Sequence, residues 1–281
     1  MTSARQWWGA MSDAVGDRFL GRYSYIDIPG LAAKDGAVIL PVGAMEQHGP
    51  HMPLFTDALI VQSLVAGALE RLPEDHPFFY LYPLAYSYSM EHADFAGTVT
   101  LSAQTTMSVL MDIAQSLARS GFRKLVFLNG HGGNVGLLHV TAREIHIKTG
   151  LWVFVIHGGS LAPKGIFDDK EREEGIHAGA SETSLVMSLM PEWVREDRIV
   201  GEYPLLIQDA SLLSVEGRFP VAWSTRDVSA SGVIGDARQA SSSTGDALFD
   251  GMVEKLSKVL VEIAHFQGAT SSEDNAIRIV G

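Results

Sequence analysis

The chain is organised around residues 37–57, which read Ala37-Val38-Ile39-Leu40-Pro41-Val42-Gly43-Ala44-Met45-Glu46-Gln47-His48-Gly49-Pro50-His51-Met52-Pro53-Leu54-Phe55-Thr56-Asp57. The stretch opens with a short apolar run, as expected for a buried strand. The following residues turn abruptly polar, and a Gly-Pro-x-x-Pro segment predicts an irregular loop. Asp57 comes where the helix predicted over residues 58–72 should begin. The stretch therefore predicts a buried strand whose carboxyl end carries a cluster of polar side chains.

The polar residues of this stretch have the chemistry of a metal site. Glu46 and His48 are two residues apart, so an extended chain points both side chains to the same side. Together with Asp57 they offer carboxylate oxygen and imidazole nitrogen, which suit Zn, Mn or Fe. Two alternatives stay open at this point: Asp57 as an ordinary helix N-cap, and Glu46 and His48 as solvated loop residues.

Composition narrows the function classes. A chain of 281 residues forms one large domain or two small ones. Its formal net charge of -12 makes it a poor candidate for binding nucleic-acid phosphates and gives it no attraction to anionic membranes. The sequence contains no cysteine, which excludes disulfides, thiolate ligands and cysteine nucleophiles. Any metal must therefore be held by His, Asp and Glu.

Two further features bear on location. Residues 1–13 lack the basic segment and the long apolar run of a signal peptide. No window of the sequence approaches the roughly 20 apolar residues needed to span a bilayer. The sequence therefore predicts a cytoplasmic protein with no membrane partner.

Strands and helices alternate along the chain from Ala37 onward. The predicted strands cover residues 37–43, 78–84, 124–128 and 151–156. The predicted helices cover residues 58–72, 105–120, 135–149, 184–189 and 246–266. Such alternation predicts an α/β fold with a mainly parallel sheet and helices on both faces.

The remaining regions complete the predicted organisation. Residues 1–36 are interpreted as a leading helix and connector packed on the core, 37–266 as the domain itself, and 267–281 as a peripheral tail. The charge run 168–174 predicts a solvated loop or short helix, and residues 200–243 predict long loops with short elements.

Histidines and carboxylates cluster after the predicted strands, where ligands bind in sheets of this kind. In chain order the clusters are Glu46/His48/Asp57, the loop Glu91–Thr98 around His92, the loop Asn129–Asn134 around His131, His157 with the two glycines after it, and His177–Ser184 with Glu182. Each has a structural alternative, such as loop fixing by His92, helix capping by His131 and a strand-end role for His157. The histidines at 76, 139, 146 and 265 have no polar company in the sequence, which predicts structural or surface roles.

Taken together, these clusters predict metal-assisted hydrolysis. Several strand ends deliver His, Asp and Glu to one rim, enough to hold two metals, with Asp57 suited to bridge them. Two metals can deprotonate a shared water and polarise a carbonyl, and His177 can shuttle the proton to a leaving nitrogen. A serine hydrolase fits worse, because the sequence has no G-x-S-x-G elbow. Nicotinamide chemistry fits worse as well, because no G-x-G-x-x-G motif is present.

Five motifs follow one another along the chain: Pro41–His51 with Thr56 and Asp57, His92 with Phe95, Gly97 and Thr98, Asn129–Asn134, His177–Gly179 with Glu182–Ser184, and Gly232–Asp236 with Ala240 and Gly245. In this order they resemble the motifs of the creatininase (creatinine amidohydrolase) family. The resemblance spans about residues 37–266. It implies a three-layer α/β/α fold, a dinuclear zinc or manganese centre, and homo-oligomers, often hexamers. By position, it implies metal ligation by Glu46, His48, Asp57 and His131, with Asp57 bridging, and makes His177 the catalytic histidine.

Two positions depart from creatininase itself. Creatininase has a glutamate ligand two residues after the histidine that matches His131, and this chain has Gly133 there. Glu182 is the candidate for the missing carboxylate, with both a metal-binding and a catalytic role. No tryptophan lies between Trp152 and Trp193, the region where creatininase holds its flat substrate.

The sequence thus predicts a metal-dependent hydrolase that cleaves the C–N bond of a small cyclic amide by means of a metal-bridging hydroxide. The predicted cofactors are two divalent ions, Zn or Mn or else Fe, and the predicted partner is a small-molecule substrate. Substrate contacts are predicted from His92, Gly132, Gly133 and His157. Two alternatives stay open: a ring-opening C–C hydrolase of a cyclic ketone or polyol such as a dehydro-inosose, and a non-catalytic protein that binds metal or ligand on the same fold.

Overall fold

A four-stranded parallel sheet forms the centre of the computed structural model, which describes residues 13–73, 76–206, 212–217 and 219–268. Its strands are β1 (Ala37–Val42), β2 (Phe78–Tyr80), β3 (Lys124–Asn129) and β4 (Trp152–His157). They lie in the order β2-β1-β3-β4, and all neighbours pair in parallel. The predicted α/β fold with a parallel sheet is confirmed. The predicted features of residues 1–12 and 269–281 lie outside the described part of the chain.

Helices alternate with these strands as the sequence predicts. They are α1 (Asp13–Gly16), α2 (Ile28–Ala32), α3 (Thr56–Arg71), α4 (Ala103–Arg119), α5 (Val135–Thr149), α6 (Asp169–Glu174), α7 (Ala180–Leu189), α8 (Thr225–Val228) and α9 (Ser242–His265). A short antiparallel pair, β5 (Gly201–Glu202) and β6 (Gly235–Asp236), lies in the region predicted to be long loops with short elements.

Two hydrophobic cores, one on each face of the sheet, make the fold three-layered. Successive residues of a strand point to opposite faces. Ile39 and Val126 pack in one core with residues of α3, α7 and α9, whereas Val38 and Leu125 pack in the other with residues of α4 and α5. Burying one such side chain contributes about 1.5–3 kcal/mol, so a sheet covered on both faces must read as continuous apolar runs. This requirement explains why the strands were visible in the sequence.

The second strand is shorter than predicted. The sequence predicts a strand over residues 78–84, but β2 ends at Tyr80. Pro83 has no N–H to donate to a ladder. The chain nevertheless stays beside β1, because Leu81 donates to the Ile39 carbonyl and Leu84 to the Pro41 carbonyl, both at 2.9 Å.

Close packing of α9 against α7 provides a test of the fold. A Cβ added to Gly245 would lie less than 3.0 Å from the Ser184 carbonyl, closer than real Cβ atoms approach backbone. We therefore expect Gly245→Ala to lower the free energy of unfolding by about 1–3 kcal/mol, although alanine is normally favoured over glycine inside a helix. The matched control is Gly136→Ala in α5, where an added Cβ has nothing within 4 Å. Equal melting temperatures for the two variants would contradict this packing.

The order of the strands places a crevice at one point of the sheet. From β1 the chain first crosses to β2 at one edge and then returns to β3 on the other side of β1. In parallel sheets, ligands bind beyond the carboxyl ends of the strands at such a switch point. The loops after β1 and β3 therefore meet where a site is expected. Among the helices of the described residues, none is long and apolar enough to cross a membrane.

Candidate metal centre

The loops after β1 and β3 bring three ligand-type side chains together. Glu46 follows β1, Asp57 lies in the first turn of α3, and His131 follows β3. All three side chains are buried. His131 Nδ1 lies 3.1 Å from Glu46 Oε1 and 3.6 Å from Asp57 Oδ2. These atoms form the first group of candidate ligands.

A second group lies on the other side of Asp57. His48 Nε2 is 3.1 Å from Asp57 Oδ1 and 3.9 Å from Glu182 Oε2. The two oxygens of Asp57 therefore face different groups of ligands. The alternative that Asp57 is a simple N-cap is wrong, because α3 begins one residue earlier, at Thr56, and its N-cap position is Phe55. The alternative that Glu46 and His48 are solvated is also wrong, since both are 0% exposed.

The hydrogen bonds of this cluster leave ligand atoms free for a cation. His48 Nδ1 lies 3.2 Å from the Glu46 backbone carbonyl, which can only accept, so this nitrogen carries the proton. In the neutral ring, Nε2 then presents a lone pair to Asp57. Glu46 Oε1 and Asp57 Oδ2 are buried without a hydrogen-bond partner among the described residues. Lone pairs that converge on one another in the protein interior fit a bound divalent metal.

The pKa values of these groups also indicate that the buried cluster lacks positive charge. Burial lowers the pKa of His48, but the carboxylates of Asp57, Glu182 and Glu46 together raise it to about 10. Burial and the neighbouring Glu46 raise the pKa of Asp57 to about 7. Burial also raises the pKa of Glu46, yet His131, His92 and His48 hold it well below its usual value. Without a metal, protons must supply the positive charge, and a divalent cation would replace them.

His177 enters the cluster from the segment before α7. Its backbone pairs with Ile234. Its Nε2 donates to the Gln47 carbonyl at 2.8 Å, so in the neutral ring Nδ1 is unprotonated and faces Glu46 Oε1 at 3.7 Å. Burial, together with the nearby His92 and His48, holds the pKa of His177 well below its usual value. His177 is therefore a neutral imidazole with one free nitrogen in the site.

His92 approaches from the opposite wall and stacks on His177, with ring centroids 4.1 Å apart. The Thr225 hydroxyl donates to the Glu91 carbonyl at 2.7 Å and lies 2.6 Å from His92 Nδ1. The other ring nitrogen, Nε2, faces Glu46 Oε1 at 3.7 Å. This geometry groups His92 with the candidate ligands Glu46 and His131, whereas the sequence interpretation gave it a substrate contact.

Glu182 is the candidate ligand with the greatest access to solvent. Its side chain is 25% exposed, compared with 1% for that of Asp57. Its Oε2 accepts from the Ala178 N–H at 2.7 Å. Ala178 has a φ of 52°, which is unfavourable for a residue with a side chain. The strained backbone aims this N–H at the carboxylate, and Glu182 therefore borders the open side of the cluster.

The remaining predicted site residues lie at the rim. Gly132 and Gly133 form the turn between β3 and α5, next to His131. His157 ends β4, and its ring contacts Asn129 Nδ2 at 3.3 Å and His139 Nε2 at 3.1 Å. His139, for which the sequence predicts a structural or surface role, is exposed and has His157 as a neighbour.

Sequence reasoning missed several residues that hold the site. The side-chain amide of Gln47 donates to the Gly232 carbonyl and lies 3.0 Å from ring nitrogens of both His92 and His177. Trp223 stands edge-on to His92, with centroids 6.3 Å apart. Of these residues, only Gln47 could have been found from the sequence, because it lies between the predicted ligands Glu46 and His48. These three partners of the Gln47 amide nitrogen lie 45–185 residues away in sequence.

Glu171 shows why part of the charge run was misread. The run was predicted to be solvated, and α6 does form there, but Glu171 is only 3% exposed. Its carboxylate accepts from the Ala180 and Asp236 backbone N–H groups, both at 2.7 Å, and from the Tyr203 hydroxyl at 2.8 Å. It therefore ties the start of α7, which carries Glu182, to β6.

Removal of this buried carboxylate should destabilise the protein. We expect Glu171→Ala to lower the free energy of unfolding by about 3 kcal/mol, because three donors lose their acceptor. Glu173→Ala is the matched control, since Glu173 is an exposed carboxylate on the same helix. Chemical denaturation monitored by circular dichroism measures both. A loss for Glu171→Ala no larger than that of the control would show that these bonds do not hold α7 in place.

Comparison with known proteins finds relatives along most of the chain. A family model described as Creatininase, creatinine amidohydrolase, matches residues 22–260. The mycofactocin precursor peptide peptidase of Mycobacterium ulcerans is 34% identical over 225 residues, which cover 78% of this chain and 82% of that protein. The creatinine amidohydrolase of Pseudomonas putida is 29% identical over 255 residues, covering 83% of this chain and 91% of that protein. The 3-dehydro-scyllo-inosose hydrolase of Thermotoga maritima is 25% identical over 248 residues, covering 80% of this chain and 77% of that protein.

Solved structures extend the similarity to three dimensions. A structure described as creatininase with Mn has a TM-score of 0.70 and 26% sequence identity, and it covers 89% of this chain and 99% of that one. A mutant creatininase of the Zn-Zn type has a TM-score of 0.68 and 28% identity, with 88% of this chain and 98% of that one covered. The three-layer fold predicted from the sequence agrees with these structures.

Proposed function

The chain belongs to the creatininase family, as its motifs indicated, and we propose that it is a metal-dependent hydrolase that cleaves an amide C–N bond. The proposal rests on one observation: the two carboxylate oxygens of Asp57 face separate groups of ligands. We propose one divalent ion with His48 and Glu182, and a second with Glu46 and His131. Zinc or manganese would agree with the similar creatininase structures, and the ligand types also accept iron.

The roles of the chain's own residues follow from their positions. Bound divalent metals would lower the pKa of water and polarise a carbonyl. Asp57 would hold both ions, because one of its carboxylate oxygens faces each group of ligands. His177 would move the proton: its Nε2–H is held by the Gln47 carbonyl, so Nδ1 is the atom that accepts a proton and passes it to the leaving nitrogen. Its low pKa prevents the proton from remaining there. Glu182, on the open side of the cluster, would contact both metal and substrate.

Two classes of amide are candidate substrates, peptide amides and small cyclic amides. A groove of about 870 Å³ is lined in part by Ile176 and Ser181, which precede His177 and Glu182 in the chain, and by Glu216. An added Cβ at Gly132 would lie 3.4 Å from Glu216 Oε1, so this side chain lies between the groove and the loop of His131. A space of this size suits an extended chain better than a single small ring. Together with the 34% identity to a peptide peptidase, it favours a peptide amide. The small cyclic amide predicted from the sequence is the second candidate, supported by the creatinine amidohydrolase relative.

A substrate screen tests the proposal. Purified protein loaded with Zn²⁺ or Mn²⁺ is incubated with short peptides, creatinine and other cyclic amides, and cyclic ketones, and the products are identified by mass spectrometry. We expect release of an amine from a peptide. Amine release from cyclic amides alone would instead support the small cyclic amide that the sequence predicts. A nitrogen-free keto acid would instead establish the ring-opening alternative, in line with the Thermotoga maritima relative. Metal binding without turnover of any compound would leave the non-catalytic alternative.

The oligomeric state implied by the resemblance, a homo-oligomer and often a hexamer, stays a prediction. Size-exclusion chromatography with light scattering measures it directly.

A further inference from the structure

We propose that Glu91 is a positioning residue for His131, and that residue 133 is glycine because the Glu91 carboxylate, together with the His131 ring it contacts, occupies the space that a side chain at this position would need. The inference rests on the proposed metal centre and concerns how one of its ligands is oriented. Glu91 lies in the turn Met90–His92, immediately before His92, and was not among the predicted site residues.

The two nitrogens of His131 face different carboxylates. Nδ1 points into the ligand cluster, 3.1 Å from Glu46 Oε1. Nε2, on the other side of the ring, lies 3.0 Å from Glu91 Oε1. Glu91 is therefore placed outside the ligand group. A carboxylate at the outer nitrogen keeps the proton there, so that the inner nitrogen offers its lone pair to a metal.

The contact is an ion-pair distance rather than an aligned hydrogen bond. Among the described residues His131 Nε2 has no hydrogen-bond partner of good geometry, and Glu91 Oε1 at 3.0 Å is the charged group it faces. The Glu91 side chain is only 13% exposed, so water competes weakly for it. The interaction should therefore be worth more than an exposed ion pair.

Gly133 is explained by the same carboxylate. A Cβ at this position would lie less than 3.0 Å from Glu91 Oε1 and 2.5 Å from His131 Nε2. Gly133 is not among the glycines with positive φ, so its backbone conformation does not require glycine. Space for the Glu91 carboxylate and the His131 ring is the remaining reason. Both colliding groups are side chains, and the nearer one is the end of a flexible carboxylate, so alanine at this position would displace Glu91 and press on His131 without breaking the fold.

The backbone of Glu91 is held in place by Thr225. Its backbone carbonyl accepts from the Thr225 hydroxyl at 2.7 Å, and the same hydroxyl contacts His92 Nδ1. One short turn thus presents Glu91 to the outer nitrogen of His131 and His92 to the inner carboxylate, Glu46. This turn therefore contacts two of the candidate ligands, His131 through Glu91 and Glu46 through His92.

A double-mutant cycle on metal affinity tests the inference. The dissociation constant for Zn²⁺ is measured by chelator competition on metal-free protein for Glu91→Ala, Gly133→Ala and the double variant. We expect each single variant to weaken Zn²⁺ binding by about 10- to 100-fold. The double variant should bind like Gly133→Ala alone, because alanine at 133 has already displaced the Glu91 carboxylate, while its contact with His131 Nε2 remains. Gly136→Ala, with open space around an added Cβ, is the control and should bind Zn²⁺ like the wild type.

Two further measurements separate orientation from folding. Glu91→Gln keeps an acceptor oxygen and should lose less affinity than Glu91→Ala. The visible spectrum of the Co²⁺-loaded protein reports ligand geometry and should change in Glu91→Ala and Gly133→Ala. Unchanged Zn²⁺ affinity in Glu91→Ala, or losses that multiply in the double variant, would overturn the role of Glu91 while leaving the metal centre intact. A wild type that binds no Zn²⁺ would instead overturn the proposed function.

Discussion

Asp57→Asn should remove the bound metal and lower kcat/KM by at least about 1000-fold, or roughly 4 kcal/mol of transition-state stabilisation. The expected effect is large because Asp57 is the one side chain whose two oxygens face both groups of ligands in the described part of the chain. The amide keeps the size of the side chain but loses its charge and one of its two acceptor oxygens. His48 and His131 would then face the remaining ligands with one negative charge fewer.

The control for this variant is Asp112→Asn, which changes an exposed aspartate on α4 in the same way. Metal content by mass spectrometry and steady-state kinetics are measured for both variants. We expect the Asp112 variant to match the wild type in both. An Asp57→Asn variant that kept its full metal content and activity would show that Asp57 does not bridge two ions.

His177→Ala should lower kcat by about 100- to 10,000-fold while the metal content stays at the wild-type level. The expectation follows from its one free nitrogen, Nδ1, which lies in the site while Nε2 is held by the Gln47 carbonyl. His265→Ala is the control, because His265 is an exposed histidine that contacts His76 and lies outside the cluster.

Two results would contradict this role for His177. Full turnover in His177→Ala would show that another group moves the proton. Loss of metal in step with activity would make His177 a ligand, as its position within reach of Glu46 and His48 also allows. Low activity with full metal content would exclude the non-catalytic alternative.

The sequence was sufficient for the layers of the fold because each layer has a periodic pattern. Helix α5 was predicted over residues 135–149 and is observed as Val135–Thr149, with Gly150 at its end in the left-handed conformation. The strands were visible as apolar runs because both faces of the sheet are buried. The rule that ligands bind at the carboxyl ends of parallel strands then brought Glu46 and His131 to the same place.

The supporting interactions could not be predicted in the same way. Gln47 contacts Gly232, 185 residues away, and Thr225 contacts His92 across 133 residues. Such pairs follow from tertiary packing and leave no periodic trace in the sequence. Glu171 was hidden for a related reason. It lies within a run of charged residues, and only the fold shows that this one carboxylate turns inward to meet backbone donors.

Asp57 shows how an aspartate near a helix start can be interpreted either as a helix cap or as a metal ligand. An aspartate near a helix start is most often a cap, and the sequence alone left that alternative open. The structure places it one residue inside α3, buried, with His48 rather than a helix N–H as its partner. The difference depends on a single residue in the helix boundary, which local sequence patterns do not resolve.

The central claim is a two-metal centre bridged by Asp57, and anomalous X-ray diffraction tests it most directly. Crystals of the Zn²⁺-loaded protein are measured above and below the zinc absorption edge. We expect two anomalous peaks, one beside each carboxylate oxygen of Asp57, with His48 and Glu182 around one and Glu46 and His131 around the other. A single peak, or peaks away from Asp57, would contradict the claim.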